Sequence, residues 1–353
     1  MAIRVIQWAT GAVGLPQLRD VIDRPDLELV GLFTFNPAKE GVDAGKIANR
    51  PDTGVLATND KAKILALDAD VVLHAASKGF AENTNIDDIV ALLESGKTVI
   101  TTTTYNHLPT YGAVENERIT RACEKGQSRF HACGENPGVT FERLAVMLTT
   151  FSKTIDKITL REYSDCSVVE EPAMLIELMG MGKPPETISA DSAMFRAISV
   201  QYEMSLAAAA DVMNVKIDEI RHEIRTATVD HDVTTAAGIL PAGTTVGQVL
   251  SWTAYVGGKP LLVSEQYWTA APDIPNWGFS LGEAKVMTRI IIEGVPDMQC
   301  EFTVHDSDDP KLEGSIGGHI AVAMTAPRAI PYVLAAPVGV VVPKIFGAYQ
   351  WPG

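Results

Sequence analysis

Apolar and polar positions change their period twice along the chain. In the first third, short apolar runs bounded by turn residues alternate with amphipathic stretches. Residues 3–8, 27–35, 71–76, 98–103 and 129–133 predict strands, and residues 13–23, 87–95 and 115–125 predict helices between them. Repeated strand–helix–strand units of this kind indicate a doubly wound parallel α/β sheet. From about residue 145 the runs lengthen and the Gly/Pro punctuation becomes irregular. Residues 157–167, 256–267 and 288–304 predict long strands, and 194–210 and 217–227 predict helices, which makes the second region an α+β domain. The expected organisation is 1–145 as a first domain, 146–317 as a second, and 318–353 as an apolar segment returning to the first.

The length of 353 residues agrees with two domains. With 44 acidic against 29 basic residues, the formal net charge of −15 argues against nucleic-acid binding, because an acidic surface repels phosphate backbones. The opening residues lack an apolar signal core, so no export is expected. The one membrane-like stretch, residues 320–342, carries Arg328 and Pro327, Pro331 and Pro337, and is expected as buried helix and loop. Four cysteines without a CxxC pair suit a reduced, cytoplasmic protein and give no thiolate metal site. The cluster around His305, Asp306, Asp308 and Asp309 has no metal-ligand spacing and is expected as an acidic turn. There is no GxSxG elbow for serine hydrolysis.

The strongest chemical signal is Ala9-Thr10-Gly11-Ala12-Val13-Gly14, a GxGxxG pattern with Ala in first place, set between a strand and a helix. Gly11 would let the backbone approach a pyrophosphate, and Gly14 would let helix and strand pack closely. The helix N-terminus would supply free N–H groups. The second strand ends in Thr34-Phe-Asn36-Pro-Ala-Lys39-Glu40. An acid at the strand tip would bind the ribose 2′-hydroxyl of NAD. None stands there, whereas Asn36 and Lys39 could cradle a 2′-phosphate, so NADP is expected and Glu40 is the feature favouring NAD. Ligands collect at the carboxyl ends of parallel strands. His74, Ala75, Ala76 and Ser77, then Thr103, and then Asn136 and Pro137 are therefore expected along the cofactor, with a satisfied core histidine the alternative for His74.

Read together, Val5-Ile-Gln-Trp-Ala-Thr-Gly-Ala-Val-Gly14, Leu27-Glu-Leu-Val-Gly-Leu32, Ala69-Asp-Val-Val-Leu-His-Ala-Ala76, Asn136-Pro-Gly138 and Leu178-Met-Gly180 resemble the native amine dehydrogenase and 2,4-diaminopentanoate dehydrogenase family. The first domain of that family is like that of dihydrodipicolinate reductase. The resemblance implies a Rossmann domain, a mixed-sheet second domain that forms a homodimer, and NAD(P)H-dependent interconversion of an amine with a ketone and ammonia. It also implies a glutamate after the strand at 98–103, where this chain reads Thr101-Thr-Thr-Thr-Tyr105-Asn-His107.

Three residues are candidates for the missing proton carrier. Glu135 follows the next strand, and burial there would raise its pKa towards working pH; its alternative is to pair with a base or cap the next helix. Tyr105 and His107 would instead protonate a carbonyl oxygen, making a carbonyl or imine reductase that uses no ammonia, or serve as plain loop residues. Tyr163, Asp165 and Trp268 are expected at the substrate pocket, with Glu162 on the opposite face of the same strand from Tyr163 and Asp165. A third outcome is a cofactor-binding sensor that does no chemistry, since a fold alone confers none.

Overall fold

The computed structural model describes residues 2–77, 85–272, 274, 277, 284 and 286–351. The chain divides into two compact units, Met1–Val139 with Asp306–Lys344, and Thr140–His305 with Ile345–Gly353.

The first unit is built on a seven-stranded sheet of parallel strands: β1 (Ile3–Trp8), β2 (Leu27–Phe33), β3 (Ala57–Thr58), β4 (Val71–His74), β5 (Thr98–Thr101) and β6 (Arg129–Ala132), with Gly339–Val340 added at the edge. The spatial order is Gly339–Val340, β6, β5, β4, β1, β2, β3. The winding direction reverses between β1 and β4, so this is the Rossmann-type doubly wound fold. Val5, Val71, Leu73 and Ile100 point to one face, where the Gly317–Ala335 helix buries Ala326, Ile330 and Val333 against them. Ile6, Trp8, Val72 and Val99 point to the other, covered by the Asn85–Glu94 and Ala113–Gly126 helices. Strands buried on both faces read as continuous apolar runs, which is why this part of the sequence is legible.

The second unit is a six-stranded mixed sheet of β7 (Thr154–Asp165), β8 (Glu219–Ala227), β11 (Gly247–Val256), β12 (Lys259–Thr269), β13 (Val286–Val295) and β14 (Met298–Val304), in the order β14, β13, β7, β12, β11, β8. A two-stranded ribbon of β9 (Val233–Thr235) and β10 (Gly238–Leu240) stands apart. The 20-residue Ala193–Val212 helix covers one face of the large sheet. Trp252 lies stacked between Phe195 at 5.2 Å and Tyr202 at 4.2 Å, and its Nε1 donates to Ser199 Oγ at 2.9 Å.

Three expectations are corrected here. Residues 217–227 hold no helix but the edge strand β8. Ile220 and Ile224 pack on the core, while Glu219, Arg221, Glu223 and Arg225 alternate on the other face. The strand expected over 288–304 is the antiparallel hairpin β13–β14, turning at Val295-Pro296-Asp297. The strand expected at 256–267 is the second half of another hairpin, β11–β12, whose turn Gly257-Gly258 takes φ of +58° and +74°, conformations that glycine adopts freely.

The expected boundaries at 145 and 317 also move. Phe141 and Ala145 are already buried in the second core, so the chain has left the first unit by residue 140. The returning segment starts at Asp306, not 318, and does not stay with the first unit to the end. Ile345, Ala348, Tyr349 and Trp351 pack on the second core, and Trp351 N donates to Met213 O at 2.9 Å.

Arg19, only 5% exposed, fastens the return of the chain to the first unit. Its Nε donates to Ala48 O at 3.0 Å, and its Nη1 to Glu313 O and Ser315 Oγ, both at 3.1 Å. Replacing Arg19 by Met would strand these acceptors. We expect a loss of about 3 kcal/mol in urea unfolding.

Candidate active site

The nucleotide loop starts where β1 stops. Ala9 takes φ +73°, a left-handed conformation that costs an alanine roughly 1–2 kcal/mol and that a glycine in first place would not feel. A Cβ on Gly14 would stand 2.2 Å from Ala9 O, so that position admits only glycine. Gln7 Nε2 braces the same carbonyl at 3.0 Å and reaches Gln17 Oε1 at 3.1 Å. Gly11 is different in kind: a Cβ there would meet nothing within 4 Å. Gly11 and Ala12 are exposed, Val13 is half-buried, and the Gly14–Asp23 helix begins directly behind them. The bare backbone at Gly11 leaves room that no protein atom uses, which fits a phosphate group approaching a helix N-terminus.

At the tip of β2, Lys39 Nζ donates to Thr10 Oγ1 at 2.9 Å and Thr10 O at 3.1 Å, which sets the ammonium against the nucleotide loop. Asn36 Oδ1 caps the next turn by accepting from Ala38 N at 2.9 Å. The Glu40 carboxylate is engaged elsewhere, by the Thr58 hydroxyl and Asn59 N.

His74 ends β4, fully buried beside Trp8. Its Nδ1 lies 2.9 Å from Thr101 Oγ1 and 3.4 Å from Thr103 Oγ1, and the Thr103 hydroxyl donates to Ala76 O at 2.7 Å. Burial lowers the His74 pKa to about 3, so the ring is neutral at working pH. His74 Nε2 and the indole Nε1 of Trp8 have no hydrogen-bond partner among the described residues. Two orphaned polar atoms therefore sit at the carboxyl ends of β1 and β4, where the winding reverses. Ala75 is half-buried, Ala76 buried and Ser77 exposed beyond them.

After β6, residues 134–138 form a closed turn in which Val139 N donates to Glu135 O at 3.0 Å. A Cβ on Gly134 would stand 2.6 Å from Pro137 O, and one on Gly138 2.5 Å from Gly134 backbone atoms. The two glycines let the turn close and hold Glu135 and Asn136, both half-buried, at its tip, followed by the buried Pro137.

The other proton candidates have local duties. Tyr105 is 1% exposed in the core, edge-on to Tyr111 at 5.0 Å. His107 caps the Leu108–Tyr111 turn, its Nδ1 accepting from Thr110 N at 3.3 Å.

In the second unit the expected pocket residues are not brought together. Tyr163 lies buried beside Tyr267, ring to ring at 4.7 Å, on the sheet face away from the helix. Asp165 Oδ1 accepts from Ser167 N at 2.9 Å and stabilises the end of β7. Trp268 is on the opposite face and packs against the helix-side core. Sequence reasoning missed the buried polar residues of that face, Gln248, Ser264, Gln266 and Thr288. The available signal was a serine and a glutamine at alternate positions after Leu262 in an otherwise core-facing strand.

Burial holds the thiols of Cys123 and Cys166 up at about 11 and about 12, so neither is a nucleophile. Among the described residues no cluster of three His, Cys, Asp or Glu could hold a metal ion, and no helix is long and apolar enough to cross a membrane.

The fold is the two-domain architecture of NAD(P)-dependent oxidoreductases, a Rossmann unit joined to a mixed-sheet unit. No family model matches the chain. It is 29% identical over 325 residues to an amine dehydrogenase of Streptomyces virginiae, covering 91% of this chain and 89% of that one. Among solved structures, an amine dehydrogenase from Mycobacterium smegmatis superposes with a TM-score of 0.70 at 16% identity, covering 99% of both chains. A dipicolinate-bound dihydrodipicolinate reductase from Paenisporosarcina sp. TG-14 gives 0.50 at 11% identity, covering 97% of both. The resemblance read from the motifs thus reappears over nearly the whole chain.

Two outcomes test this geometry. Gly14→Ala is expected to destabilise the protein by about 1–3 kcal/mol, whereas Gly11→Ala leaves thermal stability unchanged and weakens binding of the reduced nicotinamide cofactor about tenfold by fluorescence titration. Below pH 6.5 an unfolded His74 gains a proton that the folded ring refuses down to about pH 3. Stability therefore falls with falling pH through this window, by up to about 1.4 kcal/mol per unit from this residue. In urea melts between pH 6.5 and 4, His74→Asn should flatten the slope.

Proposed function

We propose that this chain is an NADP-dependent amine dehydrogenase. It interconverts a primary amine and water with a small ketone or aldehyde and ammonia, and hydride transfer takes place at an imine. The observation that carries this reading is the likeness to an amine dehydrogenase along 91% of the chain. The nucleotide loop, with Gly11 bare towards open space, agrees with it.

The backbone N–H groups at Gly11, Ala12 and Val13, at the N-terminus of the Gly14–Asp23 helix, would hold a pyrophosphate. Lys39 would pair with a 2′-phosphate, and the absence of a free acid at the β2 tip favours NADP over NAD. The orphaned donor of Trp8 and the neutral His74 would face the cofactor from β1 and β4. When bound, a nicotinamide supplies or accepts the hydride at the carbon that carries nitrogen. Glu135 is our choice for the proton carrier, removing a proton as ammonia adds and returning it as water leaves. The core placement of Tyr105 and the capping duty of His107 rank them below it. The homodimer and the cytoplasmic setting implied above belong to the same reading.

The test is NADPH oxidation with a panel of small ketones and aldehydes, with and without concentrated ammonium, and identification of the product. We expect turnover that requires ammonium and yields a primary amine. Glu135→Gln should abolish it, and Lys39→Ala should raise the KM for NADPH about tenfold while sparing NADH. Turnover indifferent to ammonium would make the chain a carbonyl reductase instead.

A further inference from the structure

The strand β8 ends the second unit's sheet. Its ladder with β11 runs through all of Glu219–Ala227 without a shift of register, and no strand among the described residues pairs with its other side. An open edge of this length is a template for another strand, and proteins ordinarily blunt such edges with proline, bulges or charge. β8 has no proline and no bulge, so its charges decide what the edge can pair with.

Glu219, Arg221, Glu223 and Arg225 are exposed and share the sheet face away from the helix. Arg221 pairs with Glu219 of the same strand, and Arg225 stands 3.9 Å from both Glu223 and Glu265. The two acids and two bases cancel on a chain whose net charge is −15. This strip therefore lacks the net charge by which two copies repel each other.

The order of these charges is self-complementary. Laid antiparallel on a second copy about His222, β8 sets Glu219 opposite Arg225 and Arg221 opposite Glu223, each pair occurring twice by symmetry. Ile220 then falls opposite Ile224 on the helix-covered face. A slip of two residues sets Arg221 opposite itself and Glu219 opposite Glu223, or Glu223 opposite itself and Arg221 opposite Arg225. All of those are like charges, which destabilise a cross-strand pair. A slip of one residue turns the charged face of one strand to the apolar face of the other. The charges thus select one register. The opposite edge, β14, carries the single charge Glu301 and selects none. His222, on the axis, is held to its own helix, with Nε2 2.9 Å from Glu203 Oε1.

We propose that two copies of this chain join by antiparallel pairing of their β8 strands, centred on His222, so that the six strands of each form one continuous sheet. An isologous pairing uses both edges at once and closes at two chains. It rests on the homodimer of the proposed reading and assigns the surface that makes it; the reaction plays no part in it.

The test is sedimentation velocity on the full chain over a range of concentrations. The wild type should be a dimer. Arg221→Glu and Glu223→Arg should each raise the dimer Kd at least tenfold, since either change creates two like-charge pairs beside the axis. Both substitutions in one chain should return the Kd to within threefold of the wild type, and so should an equimolar mixture of the two single variants. Recovery on mixing also shows that each variant is folded. Single variants that dimerise as tightly as the wild type would overturn the proposal and leave a homodimer made by another surface. Weakening that neither the double variant nor the mixture reverses would overturn it too, as would assembly that grows past two chains. A wild type that stays monomeric defeats both the proposal and the homodimer. A β8 dimer without NADPH oxidation on any ketone or aldehyde would defeat the proposed reaction alone.

Discussion

No side chain can stand at position 14, and much of the first unit follows from that. A Cβ at position 14 would stand 2.2 Å from the Ala9 carbonyl oxygen, so only glycine lets the helix lie directly against the end of β1. That approach points the helix N-terminus past Gly11 into open space. It also puts Gln17 within reach of Gln7 at 3.1 Å and of Ala323 O at 3.3 Å. One contact chain therefore runs from the first strand through the nucleotide loop to the helix at 317–335. The left-handed Ala9 is a local cost accepted at this site, as is common where backbone geometry serves a ligand.

The legible and illegible parts of the sequence divide along physical lines. Strands buried on both faces, such as β1 and β4, read as continuous apolar runs with turn residues at each end, and nothing competes with that interpretation. The edge strand β8 failed because Ile217, Ile220 and Ile224 fall at spacings of three and four, the period of a helix face. The competing signal was the strict alternation of Glu219, Arg221, Glu223 and Arg225 with the residues between them. The hairpins were hidden because β13 and β14 are joined by so short a turn that the two strands read as one. The domain boundaries shifted because connecting residues such as Phe141 are as apolar as either core.

Of the candidate site, the loop residues were readable and the side-chain orientations were not. A glycine pattern between strand and helix specifies its own geometry, and so does the Gly134–Gly138 pair that closes on itself. Whether Tyr105 points to a substrate or into the core depends on packing against Tyr111, which no local pattern records. The buried polar residues of the second sheet escaped for a related reason. A glutamine in a strand is ordinarily a surface residue, and only the register with Glu162 shows that Gln266 lies inside.

The chain passes from one unit to the other three times, after residues 139, 305 and 344. The nucleotide-binding unit is thus made of two separated stretches with another unit encoded between them. During synthesis the residues of the Rossmann sheet emerge first, yet Val5, Leu73 and Ile100 wait for the covering helix until some 180 further residues have been added. Through this interval that face has the earlier Gly14–Asp23 helix, with its buried Val21, against it but not the later one, so a chain interrupted within the intervening unit leaves the face half-covered. The Arg19 clasp on Glu313 and Ser315 becomes available just before that helix is made.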